Sequence, residues 1–151
     1  MLFGGRFVRS FPAPGQDQPD FYAGLVEQIT ADPADVVFVH LKGPDEPGHD
    51  GQVAAKVRAI EEIDEHFAGR LLERLRPADT LVLTCDHATP CELGIHSADP
   101  VPVVLYGAGI AANGGTRFCE REAAALKFPV TRASELLPRL LRAEADVGGR
   151  P

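Results

Sequence analysis

Four of the five histidines, His40, His49, His87 and His96, fall in loops or at the ends of apolar runs. Asp45 and Asp86 stand among them. The first stretch reads His40-Leu41-Lys42-Gly43-Pro44-Asp45-Glu46-Pro47-Gly48-His49-Asp50. The second reads Asp86-His87-Ala88-Thr89-Pro90-Cys91, followed by Gly94-Ile95-His96-Ser97. Carboxylate oxygen combined with imidazole nitrogen suits Zn²⁺, Mn²⁺ or Fe²⁺. An all-oxygen set would point to Mg²⁺ or Ca²⁺ instead. Gly48, beside His49, is expected to allow a tight turn that aims Asp45 and His49 inward. A single loop His or Asp is ordinarily solvated or hydrogen-bonded locally. Six of them at two neighbouring strand ends set metal binding beside that plainer reading.

The elements that must position these residues are legible in the periodicity. Residues 10–19 hold prolines 12, 14 and 19, which predicts an irregular opening segment over 1–19. Pro19 to Ala31 is predicted helical, with Phe21, Leu25 and Ile29 at four-residue spacing. Asp35 to Leu41 is a short β-branched run, predicted as a strand buried on both faces. A loop over Lys42 to Asp50 leads into a long helix, about Gly51 to Leu75, with Asp50 as its expected N-cap. Its apolar stripe is Val53, Val57, Ile60, Phe67, Leu71 and Leu75. Thr80 to Cys85 and Val101 to Tyr106 are the second and third predicted strands, with Pro102 early in the latter or on an edge. Short helices are expected near Glu120–Lys127 and Arg132–Ala143. Apolar strands alternating with helices predict an α/β fold with three layers, a largely parallel sheet flanked by helices. Function in such sheets collects at the carboxyl ends of strands. The expected division is the opening segment, a metal-binding α/β domain over 20–145 and a frayed tail over 146–151.

Composition narrows the classes of function. The chain has 151 residues, 22 acidic against 15 basic, for a net charge of −7. That balance argues against a nucleic-acid partner, which needs clustered Lys and Arg. No apolar run approaches the roughly 20 residues of a membrane span, so no membrane partner is expected. The first residues lack a signal peptide's apolar stretch, and the 3 cysteines are not in C-x-x-C spacing, which favours a cytoplasmic location.

Three motifs together carry a resemblance. Asp45-x-x-x-His49, Asp86-His87 and His96-Ser97-x-Asp99-Pro100-Val101-Pro102 resemble the alkaline phosphatase superfamily. The wording from His40 to Gly51 is most similar to the archaeal-type, cofactor-independent (2,3-bisphosphoglycerate-independent) phosphoglycerate mutases. The likeness covers roughly residues 20–140 and implies the C-terminal part of an alkaline phosphatase-like fold. It also implies two divalent ions, Mn²⁺ or Zn²⁺. Asp45, His49 and His96 match the ligands of a first ion. Asp86 and His87 match two ligands of a second, which would be incomplete. The family's Ser or Thr nucleophile and a further Asp lie on an earlier segment that this sequence does not match. No catalytic nucleophile is therefore identified, and the second site is expected to be weak or empty. The ions would lower the nucleophile's pKa and neutralise phosphoryl charge, offsetting repulsion from an acidic chain.

Beside the motifs, His40 is a candidate for orienting a ligand and Lys42 for reaching a phosphate. Thr84, Thr89, Ser97 and Cys85 are weaker nucleophile candidates, better read as locally bonded hydroxyls and a buried thiol. Cys91 is a weak candidate ligand, and Cys119 has no evident partner. His66, among Glu61, Glu62, Asp64 and Glu65, reads as part of a solvated helix face. Gly107-Ala108-Gly109 and Gly114-Gly115 read as turns. Three functions remain open: part of a phosphoglycerate mutase-like enzyme inactive alone, a non-catalytic metal-dependent assembly module, and a phosphohydrolase using metal-activated water. The expected partners are a phosphorylated small molecule, once the missing half is supplied, and a second copy of the chain covering exposed edges.

Overall fold

Helix α1, Gln18–Thr30, opens on Pro19, where a missing backbone N–H is harmless. It buries Phe21, Tyr22, Leu25 and Val26 along one stripe. A computed structural model of the chain describes residues 17–126 and 132–147. The expected irregular segment therefore lies outside the described residues up to 16, while its last two residues, Gln18 and Pro19, already belong to α1; the expected tail lies outside from 148 onward, while Asp146 and Val147 are helical.

A five-residue helix α2, Asp45–His49, precedes the long helix. The long helix is not continuous. It runs as α3, Val53–Ile63, then a π-helical turn, Asp64–Ala68, then α4, Gly69–Arg74. Phe67 and Leu71 are buried against α1, with the Tyr22 and Phe67 rings 6.1 Å apart. Ile29, Val39, Leu41, Ile63, Leu75 and Leu81 pack around this core. An Arg74–Glu27 ion pair joins α4 to α1.

The front of the predicted stripe behaves differently. Val53, Val57 and Ile60 are exposed. In an uninterrupted α-helix they would share a face with Phe67 and Leu71. The π turn holds about one extra residue per turn, so it offsets the two halves by about a quarter turn. The predicted N-cap also shifts. Gln52 holds the cap position without a side-chain bond, and Asp50 instead ends α2, its N–H donating to Glu46 O.

Strand β1, Thr80–Thr84, pairs with β2, Val103–Gly107, in antiparallel register from Thr80↔Gly107 to Thr84↔Val103. The sequence predicts a largely parallel three-layer sheet, but the described residues hold this antiparallel pair alone. A parallel partner requires a crossover to the far end of the sheet. Here no helix separates the strands. The connection leaves β1 at Thr84 and returns beside it at Val103, carrying the single bridge Ala88↔Ser97 on the way. The predicted first strand does not form as a strand: the segment carries one bridge position, at Phe38. Val39 and Leu41 turn toward the core while Phe38 is 69% exposed, so one face of this run is covered rather than two. Pro102 stands just before β2, and Thr84 Oγ1 donates to its carbonyl at 3.0 Å. Helices α5, Glu120–Ala125, and α6, Ala133–Val147, follow where short helices are predicted.

Candidate metal centre

The first expected loop contains the single helical turn α2. Residues at i and i+4 on a helix share a face, which aims Asp45 and His49 together. Gly48 does not supply a left-handed turn, since it is absent from the positive-φ residues. Its role is close approach. A Cβ on Gly48 would lie 2.8 Å from Thr89 O, so the missing side chain lets α2 press against the second loop.

That second loop folds back on itself. Leu93 N–H and Gly94 N–H both donate to Pro90 O at 3.0 Å, and Ser97 N–H donates to Ala88 O at 3.0 Å. The return lays His96 against His87, their rings stacked 3.6 Å apart. Gly94 takes φ +63°, which favours glycine, and its carbonyl lies 2.9 Å from His49 Nδ1.

The result is a compact triangle of donor atoms. His49 Nε2 lies 3.1 Å from His96 Nε2 and 3.4 Å from Asp45 Oδ1, and His96 Nε2 lies 3.7 Å from that oxygen. A tetrahedral ion with bonds near 2 Å separates its ligands by about 3.3 Å. These edges fit a divalent ion of that kind. The hydrogen bond to Gly94 O fits as well: Nδ1–H donates to the carbonyl, which leaves the Nε2 lone pair facing the triangle.

Thr89 links this triangle to a second group. It is 5% exposed, and its hydroxyl donates to Asp45 Oδ1 at 2.8 Å. His87 Nδ1 lies 3.1 Å from the same hydroxyl. Lys56, from α3, donates to the Thr89 carbonyl at 2.6 Å and pins the loop. On the far side of His87, its Nε2 lies 3.4 Å from Asp86 Oδ2, and His40 Nε2 lies 3.4 Å from that oxygen too. His87 also comes within 4.8 Å of Asp45 and His96, so it stands between the two groups. Burial raises the Asp45 pKa, but the Thr89 hydrogen bond and the electrostatic influence of the neighbouring His49, His87 and His96 imidazoles outweigh it. The net effect holds Asp45 below the usual carboxylate range, as an anion ready for a cation.

All seven singled-out residues come together. Asp45, His49 and His96 make one group, and Asp86, His87 and His40 the other. Lys42 Nζ lies 3.9 Å from Asp45 Oδ2, at the rim of the first. Cys91 stays outside, with Sγ 3.9 Å from Pro47 O. The hydroxyl candidates are engaged elsewhere, Thr84 on Pro102 O and Ser97 on Asp99 Oδ2. The sequence reading did not single out Lys56 or Gly94, nor Thr89 as the link between groups. The legible sign of Gly94 was a glycine two residues before a candidate ligand. Lys56 carried no local sign, because its target lies 33 residues away.

The family model described as the metalloenzyme superfamily matches residues 9–130. The chain belongs to the metalloenzyme superfamily. Several relatives are similar to it over part of their length. A 2,3-bisphosphoglycerate-independent phosphoglycerate mutase of Aeropyrum pernix is 52% identical over 84 residues, 54% of this chain and 20% of the relative. The enzyme of the same name from Methanothrix thermoacetophila is 35% identical over 125 residues, 80% of this chain and 32% of the relative. A solved protein of Pyrococcus horikoshii superposes with a TM-score of 0.60 at 34% identity, covering 72% of this chain and 32% of that one. The chain thus spans about a fifth to a third of the length of these relatives.

Proposed function

We propose that this chain is the metal-binding portion of a phosphoryl-transfer enzyme that, when assembled, interconverts 2- and 3-phosphoglycerate. Asp45, His49 and His96 hold a first divalent ion, Mn²⁺ or Zn²⁺, and Asp86 and His87 contribute to a second. The observation that carries this reading is the donor triangle with edges of 3.1, 3.4 and 3.7 Å. Bound there, a divalent ion neutralises charge on phosphoryl oxygens and makes a nearby hydroxyl more acidic. The chain's own groups prepare the site. The Gly94 carbonyl fixes the His49 tautomer, Thr89 orients Asp45, and Lys56 holds Thr89 in place.

Among the described residues, no hydroxyl of the cluster is free to accept a phosphoryl group. Thr89 is buried and bonded to Asp45, and Ser97 is bonded to Asp99. The chain alone, given Mn²⁺ or Zn²⁺, is therefore expected to show no phosphoglycerate interconversion and no phosphomonoester hydrolysis. Mixing it with the nucleophile-bearing remainder of an archaeal relative is expected to produce mutase activity. Chelator-sensitive hydrolysis by the chain alone would favour a self-sufficient phosphohydrolase. Bound metal without turnover in any mixture would favour an assembly module.

The Thr89 link gives a separate expectation. Thr89→Val keeps the shape of the side chain and removes the hydroxyl from both Asp45 and His87. Loss of such an outer contact costs about 10–100-fold in metal affinity. Competition titration with a chromophoric chelator measures it, and an unchanged affinity would show that the link does not orient the ligands.

A further inference from the structure

We propose that the apolar rim beside the first ligand triangle, formed by Val53, Val57 and Ile60 of α3 with Leu93 and Ile95 of the second loop, is the docking surface for the nucleophile-bearing portion of the enzyme. This rests on the phosphoryl-transfer reading above and names the surface at which that site is completed. All five side chains are exposed, by between 48% and 63%. The rest of the chain is thinly covered as well. Among the described residues more large apolar side chains are exposed than buried, and no side chain is less than 2% exposed. A grouped apolar surface of this kind marks an interface.

The five residues fall around one junction between α3 and the second loop. Lys56 donates to the Thr89 carbonyl, which fixes the side of α3 that meets this loop. Val53 and Ile60 stand three residues before and four after Lys56, so they share that side, with Val57 next around the helix. The loop closes from the other direction. A Cβ on Gly51 would lie 3.4 Å from Cys91 O, and one on Gly94 would lie 3.0 Å from His49 O. The loop from Cys91 to Ile95 therefore runs along the turn that leads from His49 into Val53. Leu93 and Ile95 flank Gly94, whose carbonyl lies 2.9 Å from His49 Nδ1.

The occupant follows from what the triangle lacks. His49 and His96 are 40% and 51% exposed, so the triangle is open to an incoming group. Among the described residues the hydroxyls of the cluster, on Thr89 and Ser97, are already engaged. A nucleophile that works beside a bound ion has to come within coordination distance of it, about 2 Å. The portion that carries it must therefore settle next to His49 and His96. The large apolar side chains nearest these two along the chain are Val53, Leu93 and Ile95. Two thirds or more of each relative lies outside the match, which is ample length for such a portion. A second copy of this chain would cover the rim but bring only the same engaged hydroxyls. Apolar contact around the site also excludes water, which strengthens the pull of an ion on phosphoryl charge.

The test is co-expression of the tagged full chain with the part of the Aeropyrum pernix relative outside the matched segment. The complex is purified with Mn²⁺, then followed by sedimentation velocity and mutase assay across a dilution series. The chain variants are Val57→Lys and Leu93→Gln on the rim, with Leu72→Lys on α4 as a control. Each replaces a side chain that is already exposed, and circular dichroism checks that each variant is folded. The unaltered chain is expected to form a one-to-one complex. Losing a buried apolar anchor of this size weakens association by about tenfold or more. Val57→Lys and Leu93→Gln should each come apart at correspondingly higher concentration, with activity lost in step. Leu72→Lys should match the unaltered chain. A complex equally tight with both rim variants would overturn the proposal, as would equal weakening by Leu72→Lys or the absence of any complex. Self-association of the chain alone that Val57→Lys abolishes would overturn it in favour of a second copy. A rim-dependent complex without mutase activity would support the docking surface and overturn the phosphoglycerate reading. An active complex indifferent to the rim would do the reverse.

Discussion

His49→Ala is expected to abolish binding at the first site, lowering affinity for Mn²⁺ or Zn²⁺ by more than about 100-fold. Losing an outer partner alone costs about 10–100-fold, and here the donor atom itself is removed. The remaining pair, Asp45 Oδ1 and His96 Nε2, has a single edge of 3.7 Å, and the next donor, on His87, is within 4.8 Å of both but outside the triangle. The effect carries into stability. An ion present at 100 times its dissociation constant stabilises the folded state by about 2.7 kcal/mol. For a domain of this size that raises the melting temperature by roughly 5–10 °C. The chain should show that shift between chelator and metal, and the first site's share should vanish in His49→Ala. His66→Ala, a histidine outside the cluster, should keep the whole shift. A metal-dependent shift of full size in His49→Ala would mean that the triangle is not the binding site.

Gly48→Ala is expected to damage both the fold and the centre. In a helix interior, Gly to Ala ordinarily stabilises by up to about 1 kcal/mol. Here the new methyl would lie 2.8 Å from Thr89 O, 3.1 Å from Thr89 Cγ2 and 3.2 Å from Lys56 Nζ. The lysine end can swing away, but a backbone carbonyl cannot. Overpacking of this kind costs about 1–3 kcal/mol, enough to outweigh the propensity gain. Relief comes from moving α2 off the second loop, which parts Asp45 and His49 from His96. The expected result is a lower melting temperature and metal affinity reduced at least tenfold. A higher melting temperature with normal metal binding would contradict the close packing of α2 on Thr89.

What the sequence disclosed and what it hid divide along physical lines. Asp45 and His49 were legible as residue types in the segment after an apolar run, but the sequence reading expected a Gly48 turn in a loop, whereas one helical turn is what brings the i, i+4 pair together. His96 and the Asp86-His87 pair were legible because they flank apolar runs. Strand direction was not, because Thr80–Thr84 and Val103–Gly107 look alike in either sense. Direction depends on whether the chain between them crosses the sheet or turns back. Thr89 and Lys56 were hidden for another reason. They act through tertiary contacts spanning 44 and 33 residues, and neither has a local pattern that announces such a role. The long-helix stripe was correct in period and wrong in phase, because a single π turn is invisible to a 3.6-residue count.

That π turn bears on how the chain tolerates change in length. Asp64–Ala68 lies between the half of the helix that packs on α1 and the half that carries Lys56. Were one residue removed there, the turn would tighten into ordinary α-helix, and with α4 anchored the forward half would rotate. Val53, Val57 and Ile60 would swing toward the core side, and Lys56 would leave the Thr89 carbonyl. The extra residue therefore acts as an angular setting for the helix: it gives up cover for three apolar side chains and keeps a lysine aimed at the loop that orders the metal ligands.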